Sequence, residues 1–148
     1  MRLIAHRGNY KGRVEERENH PAHIAEALCA GFDVEIDVWA YGSKFYLGHD
    51  EPVYPMNPEL MFEDRVWVHA KNPQAVEMFI QVPYIHFFWH ENDYLSVTSK
   101  NYLWTCQPSA EGLNTIYMDI HPTESLRLYN PFNVGGICSD NLTRFCVS

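Results

Sequence analysis

Apolar and polar positions follow each other along this chain in short runs. Leu3 to Ala5 is an apolar run that stops at His6-Arg7-Gly8, which predicts a buried strand ending in a turn. Asn9 to Glu18 is charged and contains glycine, the pattern of a loop. Asn19-His20-Pro21 opens a helix with proline in its first turn; Ile24, Ala27 and Leu28 share its buried face, and Gly31 ends it. Asp33 to Val38 alternates strictly, with Val34, Ile36 and Val38 on one face and Glu35 and Asp37 on the other. Lys44 to His49 follows a Tyr41-Gly42-Ser43 turn and predicts a hairpin-like unit. Val66 to Lys71 is a further strand, and Asn72 caps a short helix from Pro73 to Ile80. Tyr84 to Trp89, Tyr94 to Thr98, Tyr102 to Thr105, Ile116 to Asp119 and Val134 to Ser139 complete the predicted strands.

A strand-helix-strand opening predicts parallel strands joined by right-handed crossovers. The later connections are too short for crossover helices, and a complete eightfold barrel needs about 250 residues. No repeat, linker or low-complexity tract divides residues 1–148, so one domain is expected. The pattern therefore predicts an α/β chain built as a reduced TIM-type (β/α) barrel, with several helices shortened or replaced by loops. A barrel so bare of helices leaves apolar strand faces uncovered, from which a homodimer is expected.

Composition narrows the partners. Lys and Arg number 11 against 19 Asp and Glu, a formal charge of -8 that repels polyanions; no nucleic-acid groove is evident. No run of about 18 apolar residues exists, so no transmembrane segment is expected. The apolar run at the N-terminus is too short for a signal-peptide core, and a cytoplasmic location is expected. Cys29, Cys106, Cys138 and Cys146 form no C-x-x-C pair, and they read as small buried thiols rather than as a zinc site or disulfide framework.

The candidate chemistry lies at element ends. Glu35 and Asp37 point to the same face of a short, helix-flanked strand, where two buried carboxylates repel each other and a divalent cation resolves the repulsion. Arg7 offers a planar fork for phosphate oxygens at the end of the first strand. His6, Arg7, Glu18, Glu35, Asp37 and His49 occur jointly, each at an element boundary. Taken singly, His6-Arg7-Gly8 reads as a strand end with solvated charges and His49-Asp50 as a turn. His86, His90, Glu91 and Asp93 read as a strand followed by a polar turn, and Trp89 and Trp104 as core. Asp119, His121-Pro122 and Ser139-Asp140 fall after strands, where active-site loops gather in a barrel.

Ile4 to Gly8, Glu18-Asn19, Asp33 to Val38 and His49-Asp50, in this order, resemble the glycerophosphodiester phosphodiesterase family within the wider set of phosphatidylinositol-phospholipase-C-like phosphodiesterases. His69-Ala70-Lys71 resembles that family's Glu-x-Lys strand, and Gly135 to Asn141 its closing strand; this chain would be an unusually short member. The resemblance implies a phosphoric diester hydrolase that cleaves a glycerophosphodiester-like P–O bond in a small phosphodiester substrate. It implies His6 and His49 as the general acid and base, and Arg7 and Lys71 as phosphate-binding residues. Glu35 and Asp37 would be metal ligands, with Glu18 as a further or supporting carboxylate and His69 where the family has a carboxylate ligand. Mg²⁺ is the first expectation for the metal, with Mn²⁺, Ca²⁺ or Zn²⁺ as alternatives; histidine shifts preference away from Ca²⁺. A neighbouring hydroxyl attacking phosphorus would give a cyclic phosphate, and a lyase that stops there is a variant of the same reading. The alternative of a different class is a non-catalytic phosphate-ligand-binding module on the same scaffold.

Overall fold

A computed structural model describes residues 1–107, 112–120 and 133–146. Among them are ten strands: β1 (Arg2–His6), β2 (Asp33–Tyr41), β3 (Lys44–Leu47), β4 (Tyr54–Pro55), β5 (Val66–Ala70), β6 (Phe87–Phe88), β7 (Leu95–Val97), β8 (Leu103–Thr105), β9 (Gly112–Asp119) and β10 (Val134–Ser139). Two α-helices accompany them, α1 (Pro21–Cys29) and α2 (Pro73–Phe79). The first strand, β2, β5 and β10 lie where alternation and apolar runs predict them. The sixth is shorter than Tyr84 to Trp89, and β9 begins four residues before Ile116.

One sheet carries all the strands in the order β4-β3-β2-β1-β10-β9-β8-β7, with β5 paired to β2 and β6 to β5. The parallel run β6-β5-β2-β1-β10-β9-β8 is the frame; β3, β4 and β7 are antiparallel additions. The sheet curls into a half-barrel, a mixed α/β architecture compatible with a reduced barrel. Its flanks approach where the Ser99 N–H donates to the Phe87 carbonyl at 2.7 Å.

The curl has two apolar sides. Inside it, Ile4, Trp67, Phe88, Trp104, Ile116 and Cys138, from six different strands, form one buried cluster. Burying an indole of this size removes about 150–250 Å² from water, so Trp67 and Trp104 each contribute roughly 4–6 kcal/mol. Outside, Val34, Ile36 and Val38 of β2 pack with Val66, Val68 and Ala70 of β5 under Ile24 and Ala27 of α1 and Ala75 and Phe79 of α2. This arrangement sends Glu35 and Asp37 inward, as alternation requires.

Local chemistry sets the helix ends. His20 Nδ1 accepts from the Ala22 N–H and Pro21 follows it; Gly31 after α1 takes φ 92°, a conformation natural to glycine. Asn72 caps α2 through the Ala75 N–H, and its amide exchanges hydrogen bonds with the Ala40 backbone, fastening the helix to β2. Only Cys138 of the four cysteines is buried; Cys29, Cys106 and Cys146 are exposed free thiols, which corrects the expectation of buried ones. No helix among the described residues is long and apolar enough to cross a membrane.

Candidate active site

The strand ends gather the polar side chains. After β1 the backbone turns left-handed at Arg7 (φ 52°) and Gly8 (φ 89°). A Cβ at Gly8 would stand 3.0 Å from the His23 ring and 3.2 Å from the backbone of α1, so the close approach of turn and helix needs glycine. The turn aims the Arg7 N–H at Glu35 Oε2, 3.1 Å away. The Arg7 guanidinium donates through Nη1 to Glu18 Oε2 at 2.8 Å, and its Nε lies 3.2 Å from Asp37 Oδ2.

Asp37 and His69 are direct neighbours across the β2–β5 pair. With Glu35 they form a buried group whose ligand-type atoms lie within 4.8 Å of one another. Asp37 Oδ1 is 3.0 Å from His69 Nδ1 and 3.6 Å from Lys71 Nζ, yet no donor is aligned on it. His69 Nε2 faces the His90 carbonyl at 3.3 Å, so Nδ1 is the ring nitrogen turned toward Asp37. The ring packs against both Phe88 and His90, at centroid distances of 4.9 and 4.5 Å, and those two rings also contact each other at 5.8 Å. Burial, and after it the Asp37 charge, pushes the Glu35 carboxyl up. Burial acts on Asp37 in the same sense, but His69, Arg7 and Lys71 outweigh it and hold that carboxyl well below the usual range. A buried pair with one carboxyl driven up and one oxygen without an aligned donor is a donor set that fits a divalent cation.

Two histidines flank this group, each backed by a carboxylate. His6, 6% exposed, has Nδ1 2.9 Å from Asp140 Oδ1. Burial opposes its charged form, but the Asp140 hydrogen bond and the Glu35 charge outweigh that and push the imidazole up. His49 has Nδ1 2.7 Å from Asp50 Oδ1 and is half-buried. Burial pushes it down, and Arg7 and Lys71 act in the same sense against Asp37. Its turn is fixed by Gly48, whose N–H donates to the Asp37 carbonyl at 3.2 Å and whose carbonyl accepts from the Trp39 indole at 2.7 Å. Arg7, Glu18, Asn19, His49, Asp50 and Tyr54 line a cavity of about 450 Å³.

The structure thus brings together His6, Arg7, Glu35, Asp37, His69 and Lys71, with His49 at the rim. Glu18 stands outside the three-residue group and is taken by Arg7 and by Arg13 Nε at 2.8 Å; burial raises its pKa, but the two arginines lower it further. Asp140 joins the site, whereas Ser139 and Asp119 point to the outer face, where Asp119 pairs with Arg144. His86 lies inside the curl but toward the other end, against Trp67 (centroids 4.0 Å) and Thr98, and burial pushes it down to about 3. Trp104 is core, and Trp89 packs on the outer apolar cluster. His121 and Pro122 lie outside the described residues.

Two contributors, Asn9 and Trp39, carried no local signal; they act through hydrogen bonds to residues 131 and 9 positions away. Asn19 was legible as a helix start and in the Glu18-Asn19 pair, but not as the partner of Asp37, 18 residues on. Comparison with protein-family models, with curated proteins and with solved structures finds no match to this chain.

Proposed function

We propose that this protein is a metal-dependent phosphodiesterase that cleaves a glycerophosphodiester-like P–O bond by histidine acid–base catalysis on a reduced TIM-type scaffold. One observation carries the reading. Two His–Asp pairs, His6–Asp140 and His49–Asp50, flank a buried Glu35–Asp37–His69 group beside Arg7 and Lys71.

Glu35, Asp37 and His69 would hold the cation, with Mg²⁺ or, given the imidazole donor, Mn²⁺ or Zn²⁺ as the fitting ions. Bound there, a divalent ion supplies Lewis-acid neutralisation of charge on the phosphoryl oxygens. Arg7 and Lys71 add positive charge beside the same group and orient the diester. Each histidine presents Nδ1 to a carboxylate, so Nε2 is the working atom of both. The environments push the two pKa values apart, which assigns the roles. His49, pushed down and neutral, takes the proton from a water or a neighbouring substrate hydroxyl as its oxygen bonds to phosphorus. His6, whose pKa is pushed up, is the acid of the pair: in its protonated form it gives its Nε2 proton to the leaving alcohol oxygen as the old P–O bond breaks. Attack by a neighbouring hydroxyl yields a cyclic phosphate, which the same pair opens with water by exchanging roles.

The test is hydrolysis of a chromogenic phosphodiester with Mg²⁺, Mn²⁺, Zn²⁺, Ca²⁺ or EDTA. Metal-dependent release is expected, reduced on the order of 10²–10⁴-fold in His6→Ala and His49→Ala. Undiminished turnover in both variants would exclude the mechanism. Phosphomonoester binding without turnover under any metal would favour a binding module. Exposed Val97 and Leu113, on strands over which no helix among the described residues packs, support a homodimer, for which light scattering is the check.

A further inference from the structure

Asn9 is completely buried, and all four of its amide hydrogen-bonding positions are used. Its Oδ1 accepts from the Val14 N–H at 3.1 Å and from His23 Nε2 at 3.0 Å. Its Nδ2 donates to Asp140 Oδ1 at 2.9 Å and to Glu18 Oε1 at 3.3 Å. Asp140 is the carboxylate on His6, and Glu18 is the carboxylate on Arg7. One NH₂ group therefore touches the partners of both the acid–base histidine and the phosphate-side arginine. The surrounding backbone holds Asn9 in place: its N–H donates to the His6 carbonyl at 2.9 Å, and Gly12 N–H donates to the Asp140 carbonyl at 2.8 Å.

We propose that Asn9 is a positioning residue that sets His6 and Arg7 in one geometry by holding Asp140 and Glu18 with a single amide. The proposal rests on the phosphodiesterase reading for its kinetic consequence but not for its structural one. Asp140 Oδ1 is shared between His6 Nδ1 and Asn9 Nδ2, so losing the amide donor frees the carboxylate to rotate away from the imidazole. The carbonyl half of the same amide, on Val14 and His23, only closes the loop. The two halves are separable by substitution.

Asn9→Asp keeps the acceptor oxygen and the side-chain shape but replaces the donor with a charge that repels both carboxylates. If Asn9 serves loop closure alone, this variant retains a wild-type site. If it positions the site, kcat falls on the order of 10–100-fold and KM for the chromogenic diester rises, while the thermal melt stays cooperative. A readout independent of turnover is the slowly exchanging, low-field ring proton expected for His6 Nδ1–H on Asp140, assigned by its disappearance in Asp140→Asn. It is expected in the wild-type protein and lost in Asn9→Asp. Should the added charge prevent folding, Asn9→Ser shortens the donor without charge, and the same resonance decides. Retention of that resonance in a folded variant, or its absence from the wild type, overturns the proposal. If the wild type binds and turns over no diester, the phosphodiesterase reading fails, and the resonance still judges Asn9.

Discussion

Asn19 and Asp37 hold each other twice: Asn19 Nδ2 donates to Asp37 Oδ2 at 2.8 Å, and the Asp37 N–H donates to Asn19 Oδ1 at 2.9 Å. Asn19 reaches this position with φ 60°, a conformation asparagine tolerates better than most residues, and its own N–H donates to the Arg7 carbonyl at 3.0 Å. The helix start is thereby locked to the strand that carries the candidate metal ligands. Asn19→Ala leaves a buried carboxylate oxygen and a backbone N–H short of partners and is expected to cost about 2–4 kcal/mol. Asn19→Asp, which sets a second carboxylate against Asp37, is expected to cost more. Urea unfolding of both variants measures this, and equal stability to wild type would show that the pair is not coupled.

His86 makes the fold sensitive to acid. Its imidazole is held neutral down to about 3 by burial against Trp67, while in the unfolded chain it takes a proton near its ordinary value. Its contribution is therefore complete above about pH 6.5 and is lost as pH falls toward 3, at no more than ~1.4 kcal/mol per pH unit. His86→Phe keeps a planar ring on Trp67 and leaves Thr98 Oγ1 accepting from the Tyr102 N–H. The variant is expected to lose less stability than wild type between pH 6.5 and 4, as read from denaturant midpoints across that range.

The alternation of Asp33 to Val38 was enough to place Glu35 and Asp37 on one inward face, because side-chain direction in a strand depends only on parity. His6 and His69 were likewise readable at the ends of apolar runs. What local pattern does not encode is the partner across the curl. Asp140 meets His6 from 134 residues away, and Asn9, inside a charged and glycine-containing stretch, has no periodicity to mark it. The antiparallel β2–β3 hairpin was visible in its turn residues. The brevity of β6 was not: only Phe87 and Phe88 pair with β5, since the Val82–Ile85 turn uses the backbone groups that a longer strand would need. Glu18 shows the same limit on the chemical side, because its type suits a cation while its neighbours are two arginines.

Glu35 carries an electrostatic penalty that a cation would relieve. Its folded-state pKa is raised, so the folded protein holds that proton more tightly than the unfolded chain does. The associated stability is full below about pH 4.5 and fades as pH rises through the folded value. Glu35→Gln keeps an oxygen for the Arg7 N–H and removes the charge. In the metal-free protein it is expected to stabilise by ~1 kcal/mol or more at pH 8 and by little at pH 4. Saturating Mn²⁺ is expected to raise the wild-type melting temperature, with about 2.7 kcal/mol at a hundredfold excess over Kd, and to leave Glu35→Gln unchanged. An equal metal-induced shift in both proteins would remove Glu35 from the ligand set.

Gly48 decides where His49 stands. Its φ of 152° lies outside ordinary strand geometry, and a Cβ there would sit 2.0 Å from the Glu51 carbonyl oxygen and 3.2 Å from a Val53 methyl. The first contact is with backbone, so the turn itself must shift to admit a methyl group. That shift strains the bonds from Gly48 to the Asp37 carbonyl and the Trp39 indole, which aim the next residue over the cavity. Gly48→Ala is therefore expected to cost about 1–3 kcal/mol in stability and to lower kcat on the order of tenfold or more, through displacement of His49. Trp39→Phe, which removes only the indole donor, should lower kcat less and leave the fold nearly as stable. Thermal melts and diester kinetics on the two variants separate the effects: a Gly48→Ala protein that is destabilised but fully active would mean that the His49 turn is not what sets the chemistry.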